Sequence, residues 1–338
     1  MKIALDAVGG DHGLAPNIDG AVQAANAFGV APVLVGPAAE IEAELSKRGV
    51  AGDSRFEIVD APDAVGMDEE PAAACRQKPR ASIMVAAELV KTGRAAGFVS
   101  AGNSGAAMVA ALWHLKRIPG ILRPAIVAPI PTARGATLLL DAGANVDCKP
   151  WHLVQFAMMG EILCRALYGV PEPTVGILTI GEEDGKGNDL VKEAVPHLKT
   201  SGLNFIGSIE GRDVPAGKAD VVVCDGFVGN VLIKTMEGTA AAVVGLLKAE
   251  LTAKWKYKLP ALALRGPFAR VKRRMSYDEY GGAPLVGVGG VAVVCHGSSN
   301  ARAVAHGLRA AAKAAGSGMI EALREAAARD EMTQPARV

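Results

Sequence analysis

Six times in this chain a short run of Val, Ile, Leu and Ala ends in a loop of Gly, Asn, Asp and Ser, with helix-compatible sequence behind it. The stretches are IALDAVGGDHG (3–13), GFVSAGNSGA (97–106), TLLLDAGANVD (137–147), VGILTIGEEDGKGN (175–188), VVVCDGFVGN (221–230) and GVAVVCHGSSN (290–300). Helical sequence follows at 106–115, 150–167, 190–198, 231–251 and 301–315, and further strands are expected at 32–36, 56–60, 125–130 and 204–209. Continuous apolar strands alternating with helices specify an α/β chain: a three-layer α/β/α sandwich with a mostly parallel sheet buried on both faces. In such a sheet the C-terminal ends of the strands point to one edge, where ligands bind, so the polar loops should converge there. Taken singly, each loop is explained by strand termination and helix capping. Six of them, each richer in functional groups than a cap requires, point to a shared cleft.

The chain is long enough for one large domain. Residues 1–316 read as a single catalytic domain with a basic amphipathic helical excursion at about 246–278. Residues 317–338 read as a peripheral, partly disordered helical tail. The proline-containing stretches 60–79 and 116–134 are connectors. Lys and Arg number 36 against 35 Asp and Glu, a formal net charge of +1, so no global field favours nucleic acid or membrane. Five cysteines without a CxxC pair argue for a reducing cytosol over a disulfide framework or zinc site. The start, MKIALDAVGGDHG, is too short in apolar residues for a signal peptide, and no uninterrupted apolar stretch approaches the roughly 20 residues of a membrane span.

No GxGxxG follows the first strand and no GxxxxGK[ST] is present, so the loops suit a smaller anion than a dinucleotide. SAGNSGA fits an anion at a helix N-terminus: Gly102 and Gly105 admit the backbone, and Asn103 and Ser104 add donors. GEEDGKGN places Lys186 between glycines, beside Glu182, Glu183 and Asp184, which either fix the loop or hold a metal. Asp6, Asp11, Asp141, Asp147, Glu182 and Asp225 all sit at strand ends, but no spacing among them is diagnostic of a cation site. Cys148, Cys224 and Cys295 lie near strand ends with His152 and His296 close in sequence. Apolar-strand cysteines are usually small buried hydrophobes, and no GxSxG elbow exists. His12, His152 and His296 are candidates for loop ordering or proton transfer.

Between Lys248 and Arg274 nine basic residues (Lys248, Lys254, Lys256, Lys258, Arg265, Arg270, Lys272, Arg273, Arg274) face one acid, Glu250, and are interleaved with Trp255, Leu259, Leu262, Leu264 and Phe268. This is either a solvated helical excursion or a docking surface for an acidic protein or anionic headgroups. No nucleic-acid fold accompanies it.

DAVGGDHG, SAGNSGA, LLLDAGANVDCKPWHLVQFAMMG, IGEEDGKGN, NFIGSIEGRD, DVVVCDGFVGNVLIK, YGGAPLVGV and HGSSN, in this order and spacing from residue 1 to about 315, resemble the bacterial phosphate acyltransferase of phospholipid synthesis. Val8 and Ala142 depart from the family pattern in loop detail. The resemblance implies a sandwich related to the isocitrate dehydrogenase and phosphotransacetylase folds. It implies transfer of a fatty acyl group from acyl carrier protein to inorganic phosphate, giving acyl-phosphate for a membrane glycerol 3-phosphate acyltransferase. It also implies a homodimer, no cofactor, no metal and no nucleic acid. The expected place is the cytoplasm, with peripheral contact to the inner face of the cell membrane. Lys186 and Asn230 fall on the positions implicated in catalysis, Lys186 pairing with phosphate or the oxyanion and Asn230 donating to the carbonyl oxygen. Asn103, Ser104, Gly105, Asn145, Ser298 and Ser299 are then the phosphate- or substrate-binding candidates, and Asp141, Asp225 and His296 the loop organisers. Lys254, Lys256, Lys258, Arg265, Arg270, Lys272, Arg273 and Arg274 are the docking candidates. Two other classes stay open from the residues: a magnesium-dependent decarboxylating dehydrogenase, and a non-catalytic scaffold for the carrier protein.

Overall fold

The computed structural model describes residues 1–132, 135–183, 185–254, 256, 262–275 and 281–328, without the side chains of 272–275. Its strands are β1 (Lys2–Asp6), β2 (Ala31–Gly36), β3 (Glu57–Asp60), β4 (Gly97–Ser100), β5 (Ala125–Thr132), β6 (Gly135–Leu140), β7 (Val175–Thr179), β8 (Phe205–Glu210), β9 (Val221–Val223), β10 (Ala283–Val286) and β11 (Val291–Val294). They form one sheet in the order β3-β2-β1-β4-β11-β10-β5-β6-β9-β7-β8. The helices are α1 (Leu14–Phe28), α2 (Ala38–Lys47), α3 (Pro71–Gln77), α4 (Ser82–Lys91), α5 (Ser104–His114), α6 (Pro150–Leu163), α7 (Asp189–Thr200), α8 (Asp213–Ala216), α9 (Gly226–Ala253), α10 (Arg265–Met275), α11 (Ala301–Ala315) and α12 (Met319–Ala328).

The six expected strand–loop–helix units are present, and the all-apolar runs are the buried strands. β4, β7, β9 and β11 are buried at every position, as strands covered on both faces must be. The largest apolar cluster joins Leu5, Val99 and Val293 to α1 and α11, and Leu140 and Val223 to α6. A second cluster lies on the other face, joining Phe98 and Ala292 to α4 and α5. A third, around Leu139, Val222 and Ile209, is covered by Leu232, Ile233 and Met236 of α9.

The strand directions correct one expectation. β3-β2-β1-β4-β11 is a parallel block, and so is β6-β9-β7-β8. Three antiparallel pairings in succession, β11–β10, β10–β5 and β5–β6, reverse the second block against the first. The loops therefore do not share an edge by common strand direction; they meet because the blocks are staggered. Val294 pairs with Ala283, and following the β10–β5 and β5–β6 registers places that level at Leu139, one residue before the end of β6. Strands arriving from opposite directions thus end at the same height, and their loops face each other across a cleft.

Two further boundaries differ from the reading of the sequence. α9 opens at Gly226, inside GFVGN, because Asp225 caps it (Oδ1 accepting from Val228 N–H, 2.8 Å), so Asn230 lies in the helix and not in a loop before it. The tail is not peripheral through residue 328. α12 buries Met319, Ile320, Leu323, Ala326 and Ala327 in the main core, and Arg324 donates to Gly289 O at 2.9 Å. Residues 329–338 lie outside the described residues.

α9 also qualifies the absence of an apolar span. Over its 28 residues it is long and apolar enough to cross a membrane by length and composition, and none of that apolar window is buried. Val243, Val244, Leu246 and Leu247 stand exposed along it. Lys254, Lys256, Arg265 and Arg270 are exposed beyond it. Lys258, Trp255 and Leu259 lie outside the described residues, as do the side chains of Lys272, Arg273 and Arg274.

Leu323 is fully buried, so Leu323→Ala should lower the unfolding free energy by about 2–5 kcal/mol. Denaturant titration would read this, and an unchanged midpoint would return α12 to the periphery.

Candidate functional site

Each parallel block carries one buried carboxylate at the end of a central strand. Asp6, at the end of β1, accepts from Ser82 Oγ (2.5 Å) and Ser100 Oγ (2.7 Å), and Ser100 Oγ in turn accepts from Gly102 N–H at 3.0 Å. Asp141, just past β6, accepts from Ile126 N–H (2.9 Å) with Oδ1, and from Asn145 N–H (2.6 Å) and Asn145 Nδ2 (3.0 Å) with Oδ2. Burial pushes both carboxyls above their ordinary range, while these donors pull the other way. Both acids hold loops; neither faces open solvent. Asn145 belongs with them. Its amide donates to Asp141 and to Pro124 O (2.8 Å), and its carbonyl accepts from Gly226 N–H (2.8 Å), which makes it an organiser and not a phosphate ligand.

This cluster accounts for the glycines of GFVGN. α9 begins directly on the Asp141–Asn145 loop. A Cβ on Gly226 would lie 2.7 Å from Asp141 Oδ2, and one on Gly229 would fall onto the carbonyl oxygen of Asp141. Only a first turn without side chains lets the helix seat there, and that seating sets where Asn230, one residue on, points.

The loop-end carboxamides are mostly caps. Asn103 Oδ1 accepts from Ala106 N–H (3.1 Å), Asn188 Oδ1 from Val191 N–H (3.0 Å) and Asn300 Oδ1 from Ala303 N–H (3.0 Å). Asn103 also donates from Nδ2 to the carbonyls of Gly66 (3.2 Å) and Glu69 (3.1 Å), so its side chain clamps the 66–69 segment instead of standing free for an anion. Gly105 is the point where α5 passes Pro71, whose Cγ would be 2.5 Å from an added Cβ.

A cleft of about 640 Å³ opens where the two sets of loops face each other. Asp11, Ser104, His296 and Gly297 line it from the first block, and Asn230, Lys234 and Glu237 from α9. The last three recur at helical spacing and share one face. Lys234 crosses the cleft: its Nζ lies 3.1 Å from His296 Nε2, and it pairs with Glu237 at 3.0 Å on its own helix. His296 Nδ1 lies 2.8 Å from Ser298 Oγ. Ser299 is buried, and its Oγ has no hydrogen-bond partner among the described residues. Ser298 and Ser299 immediately precede the N-terminus of α11, where unpaired N–H groups gather.

The sequence reading thus finds Asn230, Ser104, Ser298, Ser299 and His296 close to one cleft. It misses Lys234, whose signal was its position four residues after Asn230 on the same helix. Lys186 stands apart. It is exposed on the loop after β7, on the same C-terminal edge as Asp225 but two strands from β6, and does not line the cleft. Of its acidic neighbours, Glu182 pairs with Lys218 at 2.6 Å, and Asp184 lies outside the described residues. Among the described residues no group of three His, Cys, Asp or Glu side chains is placed to hold a metal ion.

The cysteines are poor nucleophiles. Burial pushes the Cys148 thiol up to about 12 and Cys224 well above its ordinary value. His152 has its pKa lowered by burial, and its Nδ1 accepts from Lys149 N–H at 3.1 Å, where it orders the start of α6.

A two-block α/β fold with a polar inter-block cleft and no nucleophilic thiolate among its itemised cysteines fits direct group transfer between two bound substrates. Solved structures share the fold: a phosphotransacetylase from Streptococcus pyogenes has a TM-score of 0.62 at 17% identity, covering 95% of this chain and 94% of that one. A 4-hydroxythreonine-4-phosphate dehydrogenase from Klebsiella pneumoniae has a TM-score of 0.54 at 15% identity, covering 93% and 98%. A family profile described as fatty acid synthesis protein matches residues 1–322. "Phosphate acyltransferase" of Elusimicrobium minutum is 50% identical over 325 residues, covering 96% of this chain and 95% of the relative. That of Geotalea daltonii is 47% identical over 329 residues, covering 96% and 95%. The chain belongs to this phosphate acyltransferase family and is an acyltransferase of lipid biosynthesis.

Because Gly229 has no room for a methyl group, Gly229→Ala should displace the first turn of α9 and lower both activity and thermal stability. Asn230→Gln, which leaves the seating intact, should keep the wild-type Tm. Equal Tm values for Gly229→Ala and wild type would contradict the packing argument.

Proposed function

We propose that this acyltransferase moves a fatty acyl group from the thioester of acyl carrier protein to inorganic phosphate, and that its acyl-phosphate serves glycerol 3-phosphate acylation in phospholipid synthesis. The observation that carries the reading is the inter-block cleft, in which an amide donor (Asn230) and a cation (Lys234) on one wall face Ser104, His296 and the Ser298–Ser299 turn on the other. Phosphate is already an anionic nucleophile, so the site needs charge and orientation more than a base. In this reading Lys234, the Ser298 hydroxyl, the partnerless Ser299 hydroxyl and the start of α11 take the phosphate. Asn230 donates to the thioester oxygen as it becomes an oxyanion. Lys186 keeps the role implied by the family resemblance, acting from the rim on phosphate or the developing oxyanion. The phosphate breaks the C–S bond as it forms the new C–O bond, and the carrier protein leaves as its thiol.

Partners follow from the surface. Basic residues beyond α9, Lys254, Lys256, Arg265 and Arg270 among them, suit an acidic carrier protein or the anionic inner face of a membrane. A homodimer would cover exposed apolar residues of α9. This places the protein in the cytoplasm with peripheral access to the membrane.

Release of carrier-protein thiol that depends on both acyl donor and phosphate tests the reaction, and release without phosphate would overturn it. One oxyanion donor is worth about 3 kcal/mol, so Asn230→Ala should lower turnover on the order of a hundredfold with folding intact. Lys234→Met and Lys186→Met should each raise the phosphate KM; a normal phosphate titration removes that lysine from the site.

A further inference from the structure

The polar groups occupy one end of the cleft; the other is apolar and built from two unlike walls. One wall is β5. It pairs with β6 along its whole length, but with β10 only at Ala125 and Ile126, so its second edge is open from Val127 onward. The β5–β6 hydrogen bonds run through even-numbered positions: Ala142 N–H donates to Ile126 O, while Leu138, opposite Pro129, donates away to Asp220 O on the β9 side. Odd-numbered positions therefore aim their backbone at the open edge, and two of them are Pro129 and Pro131. Each proline removes an N–H that would otherwise face the cleft unpaired. The second wall is α9, where Ile233, Met236 and Ala240 continue the face that begins at Asn230. From Asn230 to Ala240 the helix advances about 15 Å.

We propose that this apolar end is the acyl-chain site, with the thioester carbonyl at Asn230 and the chain running along α9 over the proline edge of β5 toward Ala240. The proposal rests on the acyltransferase reading above and adds the path of the chain and the residue that limits its length. A long unbranched hydrocarbon needs a narrow slot, continuous with the reacting end and without unpaired donors along it. The slot has the continuity because Asn230 and Ala240 share one helix, and it lacks two donors because of the prolines. Ala240, small and half-buried at the far end, measures the chain.

The test is Ala240→Phe, assayed with hexanoyl and palmitoyl thioesters of acyl carrier protein and with a pyrene-labelled long-chain fatty acid as a binding probe. Blocking the far end should lower kcat/KM for the palmitoyl donor and weaken the probe about tenfold or more, and change the hexanoyl donor by less than about twofold. Met236→Ala, which removes contact without adding bulk, should weaken the probe with Tm near wild type, so a misfolded Ala240→Phe would not leave the slot undecided. Equal loss for both donors, or wild-type palmitoyl transfer with unchanged probe binding, overturns the proposal. So does a change in oligomer mass with an unaltered chain-length profile, which would show that a second copy covers this face. If the wild-type protein releases no thiol in response to phosphate, the reaction reading fails. The probe comparison still decides the slot.

Discussion

Everything in this fold is hung on β10. Its four residues are divided between two neighbours, Ala283 and Pro284 pairing with β11, and Leu285 and Val286 with β5. That seam alone joins the two parallel blocks within the sheet, and its register sets how far one block is staggered against the other. A slip of one residue would turn every β10 side chain to the wrong face and shift the facing strand ends along the sheet. The seam is entered through Gly281 and Gly282, at φ 78° and 85°, where a Cβ would meet His306 O and Val294 O. The glycines of YGGAPLVGV are thus a condition for bringing Lys234 within reach of His296. No local property of either residue would do so.

Within each block a buried aspartate does for the loops what β10 does for the sheet. A carboxylate taken out of water costs more than its pairings return unless most of its oxygens' acceptor capacity is filled by donors. Asp6 and Asp141 meet that requirement with serine hydroxyls, backbone N–H groups and one amide, which fixes the loops leaving β1 and β6. The same demand explains why these acids are poor metal ligands here. Their oxygens are already committed, and turning one toward a cation would leave backbone donors at Ile126 or Asn145 without partners. Removing either aspartate should therefore disturb geometry at a distance, through β5 in one case and the Gly102 turn in the other.

The architecture was legible in the sequence because parallel strands buried on both faces leave an unmistakable trace of apolar runs separated by helices. What could not be read was direction. Nothing in APLV or AIVAPIPT distinguishes an antiparallel seam from two more parallel strands, since both lie buried between neighbours. The site was legible in part. The loop residues Ser104, His296, Ser298 and Ser299 stood out by composition, but Asn103, Asn188 and Asn300 carry the same signature and prove to be caps. Asx side chains serve both uses with the same chemistry, so sequence alone separates them poorly. Lys234 was hidden for the opposite reason: it sits within a helix, where a lysine is ordinarily a solvated side chain. Only the position of α9 over the cleft gives it a partner on the opposing block. Asn145 was misread because a carboxamide in a glycine-rich loop looks ligand-like until its burial against Asp141 is known.

The absence of an activated side chain is itself instructive under the proposed chemistry. A covalent route through Cys148 or Cys224 would require a thiolate, and burial holds both thiols protonated. Direct attack asks for less: two substrates held in one geometry, and donors where the carbonyl oxygen gathers charge. An inter-block cleft supplies this in a way a single loop cannot, because the phosphate wall and the acyl wall belong to separately folded blocks. Their separation is set by one short seam. Anything that shifts that seam, including lipid or a partner pressing on the exposed length of α9, would move Lys234 and Asn230 together relative to the Ser298–Ser299 turn. Turnover would then respond to a surface remote from the chemistry, through the same helix that carries the amide donor.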